Sequence, residues 1–186
     1  MAQPVLKGLR VAILATDGFE QSELQEPKQA LDVAGAETEV ISVDNGEIRG
    51  WRHKEWGDSV HVDRSLGAAN PKDYGALVLP GGVMNPDALR MQPRAVSFVR
   101  AFFEAGKPVA AICHGPWTIV ETSAARGYRM TSWPSLKTDI TNAGGIWSDE
   151  EVVVDRNLVT SRKPDDLPVF NREMIALFSR LKPPAG

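Results

Sequence analysis

An α/β fold, with a doubly wound and mostly parallel sheet covered by helices on both faces, is predicted by three observations. Short and almost wholly apolar runs recur along the chain: RVAILAT (10–16), ALVL (76–79) and VAAI (109–112). Such runs suit strands buried on both faces. Segments with helical spacing of apolar residues lie between them, the alternation that builds a parallel sheet of the flavodoxin-like kind. Glycine- and proline-bearing turns then close the strands, at Asp17-Gly18, Pro80-Gly81-Gly82 and Gly115-Pro116.

The elements follow in order. After the run at 10–16, Leu24, Ala30, Leu31 and Ala34 fall near helical spacing, so Glu23 to Val33 reads as a helix stopped by Gly35. TEVISV (38–43) is the next β-branched run and completes a βαβ unit, whose crossover is right-handed. Residues 46–63, with Gly46, Gly50 and Gly57 around Trp51 and Trp56, read as a hairpin at a sheet edge. Past ALVL, a helix from Pro93 to Glu104 has proline at its start and Gly106 beyond its end. VAAI runs directly into Cys113-His114-Gly115, and a helix from Pro116 to about Ala125 follows. Short β-like pieces at 130–132, 152–154 and 158–161 precede a last helix, Leu167 to Leu181. Its apolar stripe is Phe170, Met174, Leu177, Phe178 and Leu181. One domain over 1–186 is expected, with a core of about 8–182 and a frayed tail at 182–186.

Composition excludes several classes. With 186 residues, 42% hydrophobic and 24% charged, the chain can build a core without staples. Its one cysteine precludes an internal disulfide and a cysteine-rich zinc site, and suits a reducing, cytoplasmic compartment. No metal and no cofactor are expected. A net charge of −3 gives no basic footprint for nucleic acid, and no apolar run approaches membrane-spanning length.

In a doubly wound sheet, sites form outside the carboxyl ends of the strands. Three distant segments meet that description: 17–23, 80–82 and 113–115. Cys113 lies between a buried strand and a helix, the setting of a nucleophile elbow, where a helix N-terminus favours a thiolate and a lowered thiol pKa. His114 follows directly; neighbours on a tight turn point apart, so contact with the sulfur needs the ring to fold back. Glu20, just past the first strand, is the carboxyl expected beside the sulfur. If buried it stays protonated and donates a hydrogen bond there. Glu23 and Glu26 suit the ordinary role of acids in a first helical turn. Gly81 and Gly82 let backbone N–H groups approach a ligand, as an oxyanion hole requires. His53 and His61 read as surface histidines.

The ordered set DGFEQSEL (17–24), LVLPGG (77–82), GKPVAAICHGP (106–116), TSWPSLKTDITNAGG (131–145) and SRKPDDL (161–167) resembles the PfpI family. That family is the intracellular cysteine peptidase-like branch of the class I glutamine amidotransferase-like fold. The resemblance implies a Cys113 nucleophile, a Glu20 partner, and oxyanion contacts from the Gly81–Gly82 and Cys113–His114 backbone. It also implies a homo-oligomer, dimer or hexamer. Peptidase-like members draw a third catalytic acid, usually Glu, from a neighbouring subunit shortly after Pro-Gly-Gly. Asp87 takes that place here, one methylene shorter, in a segment (83–90) expected to be a surface loop.

Peptide hydrolysis, glyoxalase-type conversion of methylglyoxal and deglycation of amines or thiols all begin with thiolate attack on a carbonyl. The expected function is therefore a stress-associated cysteine hydrolase acting on small carbonyl compounds, glycated amines or peptides. The alternative is an oxidative-stress sensor working through oxidation of Cys113.

Overall fold

The computed structural model describes residues 4–181, so the tail expected at 182–186 lies outside the described residues. In chain order the elements are β1 (Arg10–Leu14), β2 (Phe19–Glu20), α1 (Gln21–Val33), β3 (Glu37–Ser42), β4 (Gly46–Arg52), β5 (Glu55–Val62), β6 (Arg64–Ser65) and β7 (Ala76–Leu79). There follow α2 (Met84–Arg90), α3 (Pro93–Glu104), β8 (Val109–Ile112), α4 (Pro116–Glu121), β9 (Arg129–Met130), α5 (Lys137–Asn142), β10 (Ile146–Trp147), β11 (Val152–Asp155), β12 (Leu158–Ser161) and α6 (Leu167–Leu181). Seven strands form the central sheet in the order β11-β12-β8-β7-β1-β3-β6. All its pairings are parallel except β11 with β12. The mostly parallel α/β architecture expected from the sequence is the one observed.

Strand alternation divides the core between two faces. Val11 and Ile13 of β1 pack with Leu24 and Leu31 of α1 and with Phe170, Met174 and Phe178 of α6. Ala12 and Leu14, one residue out of step, join Phe98 and Phe102 of α3 and Ile119 of α4 on the other face. β7 and β8, and β1 beyond Arg10, are thus apolar because neither face meets water. β8, carrying Cys113 at its end, lies between β7 and β12, deep in this sheet.

Three expectations are corrected. The 46–63 hairpin exists, but with β2 it forms a separate three-stranded sheet rather than extending the central one, and Ile48 and Val62 bury against the α1/α6 cluster. The helix after Cys113 ends at Glu121, not Ala125. There the Thr122 hydroxyl donates to Ile119 O and accepts from Ala124 N, and Ser123 takes φ +66°. Residues 84–90 are helical instead of a loop, because Asn85 and Leu89 are buried anchors.

Asn85 fixes the strand ends that frame the site. Its Oδ1 accepts from Thr16 N at 2.8 Å, and its Nδ2 donates to Pro80 O at 3.1 Å and Gly81 O at 3.0 Å. An Asn85→Ala variant leaves these buried backbone groups without that partner. The expected loss is about 2–3 kcal/mol in urea unfolding, at unchanged denaturant slope. A loss well under about 1 kcal/mol would contradict this role.

Candidate active site

The turn after β8 is built for the cysteine. Cys113 has φ +60°, a left-handed conformation that strains a residue with a Cβ and recurs at functional sites. The turn is held from both sides: Cys113 N donates to Ser161 O at 3.1 Å, and Cys113 O accepts from Trp133 N at 2.9 Å. Gly81 is a matter of space, since a Cβ there would stand 2.6 Å from both the Cys113 Cβ and Glu23 Oε2. Gly115 is equally constrained, with Leu79 O 2.5 Å from the position of an added Cβ. The side chain of Cys113 is nearly covered, at 7% exposure.

The carboxyl beside the sulfur belongs to Glu23, not to Glu20. Glu23, Pro27 and Leu31 recur at four-residue intervals on the buried side of α1, which carries Glu23 inward to 0% exposure. Its Oε2 accepts from Gly81 N at 2.8 Å. Oε1 has no hydrogen-bond partner by distance and angle among the described residues. Burial raises its pKa from 4.5 to about 8, against the lowering effect of the Gly81 amide, so it holds a proton at neutral pH. Glu20 stands at the N-cap position of α1 instead, with no capping hydrogen bond from its side chain. It is half-buried, accepts from Ser22 Oγ at 3.1 Å, and lines a cleft of about 380 Å³ with Arg52, His53 and Asp165.

Burial pushes the Cys113 thiol up, and Glu23 adds to this once it ionises, contrary to the lowered pKa expected from the turn. The amides of Gly82 and His114 aim at the sulfur and work the other way. Gly81 N–H is already occupied by Glu23, so Gly82 and His114 are the backbone donors at this site, with Gly81 supplying clearance. The imidazole of His114 does fold back. Its Nδ1 lies 3.2 Å from Sγ, and burial lowers its pKa from 6.5 to about 4, leaving it neutral. Ser135 Oγ stands 3.5 Å from Nε2, while the rings of Trp117 and Trp133 pack on the imidazole.

Asp87 lies exposed in the first turn of α2 and makes no hydrogen bond or ion pair with His114 in its own chain. The site therefore brings together Cys113, His114, Gly82 and Glu23, with Gly81 as its close wall. Sequence reasoning passed over Glu23 and Asn85. The signal for Glu23 was its place in the Glu23–Pro27–Leu31 line; for Asn85 no sequence signal separates it from a turn residue. Among the described residues, no group of three His, Cys, Asp or Glu side chains is placed to hold a metal ion. No described helix is long and apolar enough to cross a membrane.

A cysteine on a left-handed turn at the end of a central parallel strand, flanked by a histidine and a protonated carboxyl, defines an α/β protein with a nucleophile-elbow thiol. The chain belongs to the DJ-1/PfpI family, which it matches over residues 9–177. It is 40% identical over 168 residues to YraA of Bacillus subtilis (strain 168), provisionally named a cysteine protease; the match covers 90% of this chain and 97% of that one. It is 43% identical over 169 residues to "Protein/nucleic acid deglycase 2" of Escherichia coli (strain K12), covering 90% and 96% of the two chains. A crystal structure from Anabaena variabilis, of a two-domain protein with DJ-1/ThiJ/PfpI-like and ferritin-like domains, superposes with a TM-score of 0.85 at 37% identity. That match covers 90% of this chain and 47% of the other. These names belong broadly to family hydrolases and deglycases.

The Glu23 proton has a consequence for stability. Between pH 4.5 and about 8 the folded protein retains a Glu23 proton that the unfolded chain has released, so the Glu23 contribution to stability falls as pH rises through that window and levels above it. His114 acts oppositely and lower: its contribution is complete above 6.5 and is lost as pH falls toward about 4. In Glu23→Gln the His114 slope remains and the Glu23 slope vanishes. The variant should gain on the wild type between pH 5 and 8.5, by up to about 4 kcal/mol in denaturant unfolding. Parallel stability curves for the two proteins would contradict a buried, protonated Glu23.

Proposed function

We propose that this chain is a stress-associated cysteine hydrolase of the deglycase type, removing small carbonyl adducts such as those of methylglyoxal from amines and peptides. The observation that carries this reading is the Cys113 thiol held between two proton-handling groups, the neutral His114 Nδ1 at 3.2 Å and the protonated Glu23. The thiol proton passes to Nδ1, and the sulfur electron pair forms a bond to the carbonyl carbon. The C=O π pair moves onto oxygen, whose charge the amides of Gly82 and His114, the backbone donors next to the sulfur, would receive in this reading. Glu23, uncharged, does not repel the thiolate and has a proton to share with it. For an adduct at the acyl level, the 2-hydroxyacyl amide isomeric with the methylglyoxal hemiaminal, the oxygen pair re-forms C=O, the C–N bond breaks and the amine leaves with the proton from Nδ1. Water then cleaves the thioester, freeing the acid and restoring the thiol.

The relatives' names support this class of chemistry and divide between protease and deglycase. Incubation with methylglyoxal, a glycated peptide and casein separates these. The wild type is expected to release free amine from the glycated peptide and leave casein intact, and Cys113→Ala to release no amine. Equal loss of adduct in both proteins, or casein cleavage alone, would reject the proposal.

We also propose that Asp87 acts from a second copy of the chain in a dimer or hexamer, since it does not reach His114 within its own. Mixing Cys113→Ala with Asp87→Ala, each weak alone, should restore part of the activity once subunits exchange. Full activity in Asp87→Ala alone would remove Asp87 from the site.

A further inference from the structure

His114 has an unusual set of neighbours for a histidine next to a reactive thiol. Among the described residues, no carboxylate forms a hydrogen bond or ion pair with it, and burial is the one cause that shifts its titration. What surrounds the ring is aromatic. Trp133 stacks on it, 21° from parallel with centroids 6.0 Å apart, and Trp117 meets it at 65° and 5.0 Å. Trp117 is itself anchored: its Nε1 donates to Asp139 Oδ2 at 2.8 Å, and Arg90, paired to Glu121, lies 5.2 Å over its ring. Trp133 is tied by its backbone to Cys113 O.

We propose that Trp133 is a positioning residue that holds the His114 imidazole on Cys113 and stabilises its protonated form, beside whatever acid a second copy supplies. Proton transfer from Sγ to Nδ1 turns a neutral pair into thiolate and imidazolium. A cation facing an indole within about 6 Å is favoured by the ring quadrupole. The tautomer that accepts at Nδ1 carries its hydrogen on Nε2, toward Ser135 Oγ. The other titratable or charged groups nearby are Cys113 itself, Glu23 behind it, Arg90 and Asp139 around Trp117, and Asp149, Arg162 and Lys163 in the pocket beside Trp133. Arg162 is paired with Asp149 and Asp166.

The inference concerns the nucleophile of the proposed reaction, but its test needs no substrate. Trp133→Phe keeps an aromatic face; Trp133→Leu offers similar bulk without one. Trp133 is 40% exposed, so both variants should fold, which thermal unfolding checks. Iodoacetamide alkylation of Cys113 at neutral pH is expected to proceed in Trp133→Phe within about twofold of wild type. In Trp133→Leu it should run about two- to fivefold slower than in Trp133→Phe. The His114 ring-proton titration by NMR should move lower in Leu than in Phe. Equal alkylation rates in the two variants, or a faster Leu variant, would overturn the proposal whether or not the deglycase reading holds.

Discussion

Placing a carboxyl in the interior beside the only thiol is the constraint around which this structure is arranged. Glu23 is fully buried, so it must be either neutral or matched by a cation. No cation hydrogen-bonds to it among the described residues; its partner is the Gly81 amide. Neutrality is the consequence, and it sets the terms for the sulfur. A charged carboxylate would oppose the thiolate, whereas a protonated one can sit against it. The close approach also dictates residue 81, because any Cβ there would collide with the two groups it separates.

The rest of the site can be followed outward from this pair. Asn85 reaches back from α2 to pin Thr16, Pro80 and Gly81, so the first and fourth strands of the chain's parallel core end in register with each other. β8 delivers Cys113 on a strained turn, and that same turn brings His114 Nδ1 onto the sulfur. The resting state is uncharged: thiol, imidazole and carboxylic acid. Burial enforces this, and it keeps a lone cysteine from standing permanently as an exposed thiolate. In the proposed reaction, charge separation is deferred to the moment when a carbonyl can accept the sulfur pair.

Much of the architecture was legible in the sequence because buried parallel strands leave a plain mark. RVAIL, ALVL and VAAI have no polar face to obscure them, and Pro93 and Gly106 bracket α3 by ordinary capping rules. Cys113 was legible for the same reason, as the residue at which an apolar strand stops. Glu23 was misread because an acid in a first helical turn has a sufficient explanation at the surface. Only its alignment with Pro27 and Leu31 says that it points inward. Asn85 and α2 were missed for a related reason: Asn, Pro and Asp favour turns, and only tertiary partners reveal that the Asn amide is buried. The His114 contact depends on how a tight turn orients one ring, which residue order does not specify.

The central claim is that Glu23 carries a proton at neutral pH. Difference infrared spectroscopy against the Glu23→Gln variant reads it directly, through the carbonyl stretch that only a protonated carboxyl shows. The account predicts a buried carboxylic-acid band in the wild type at pH 6 that titrates away near pH 8 and is missing from the variant. A wild-type spectrum with no such band at pH 6, showing Glu23 already ionised, would contradict it.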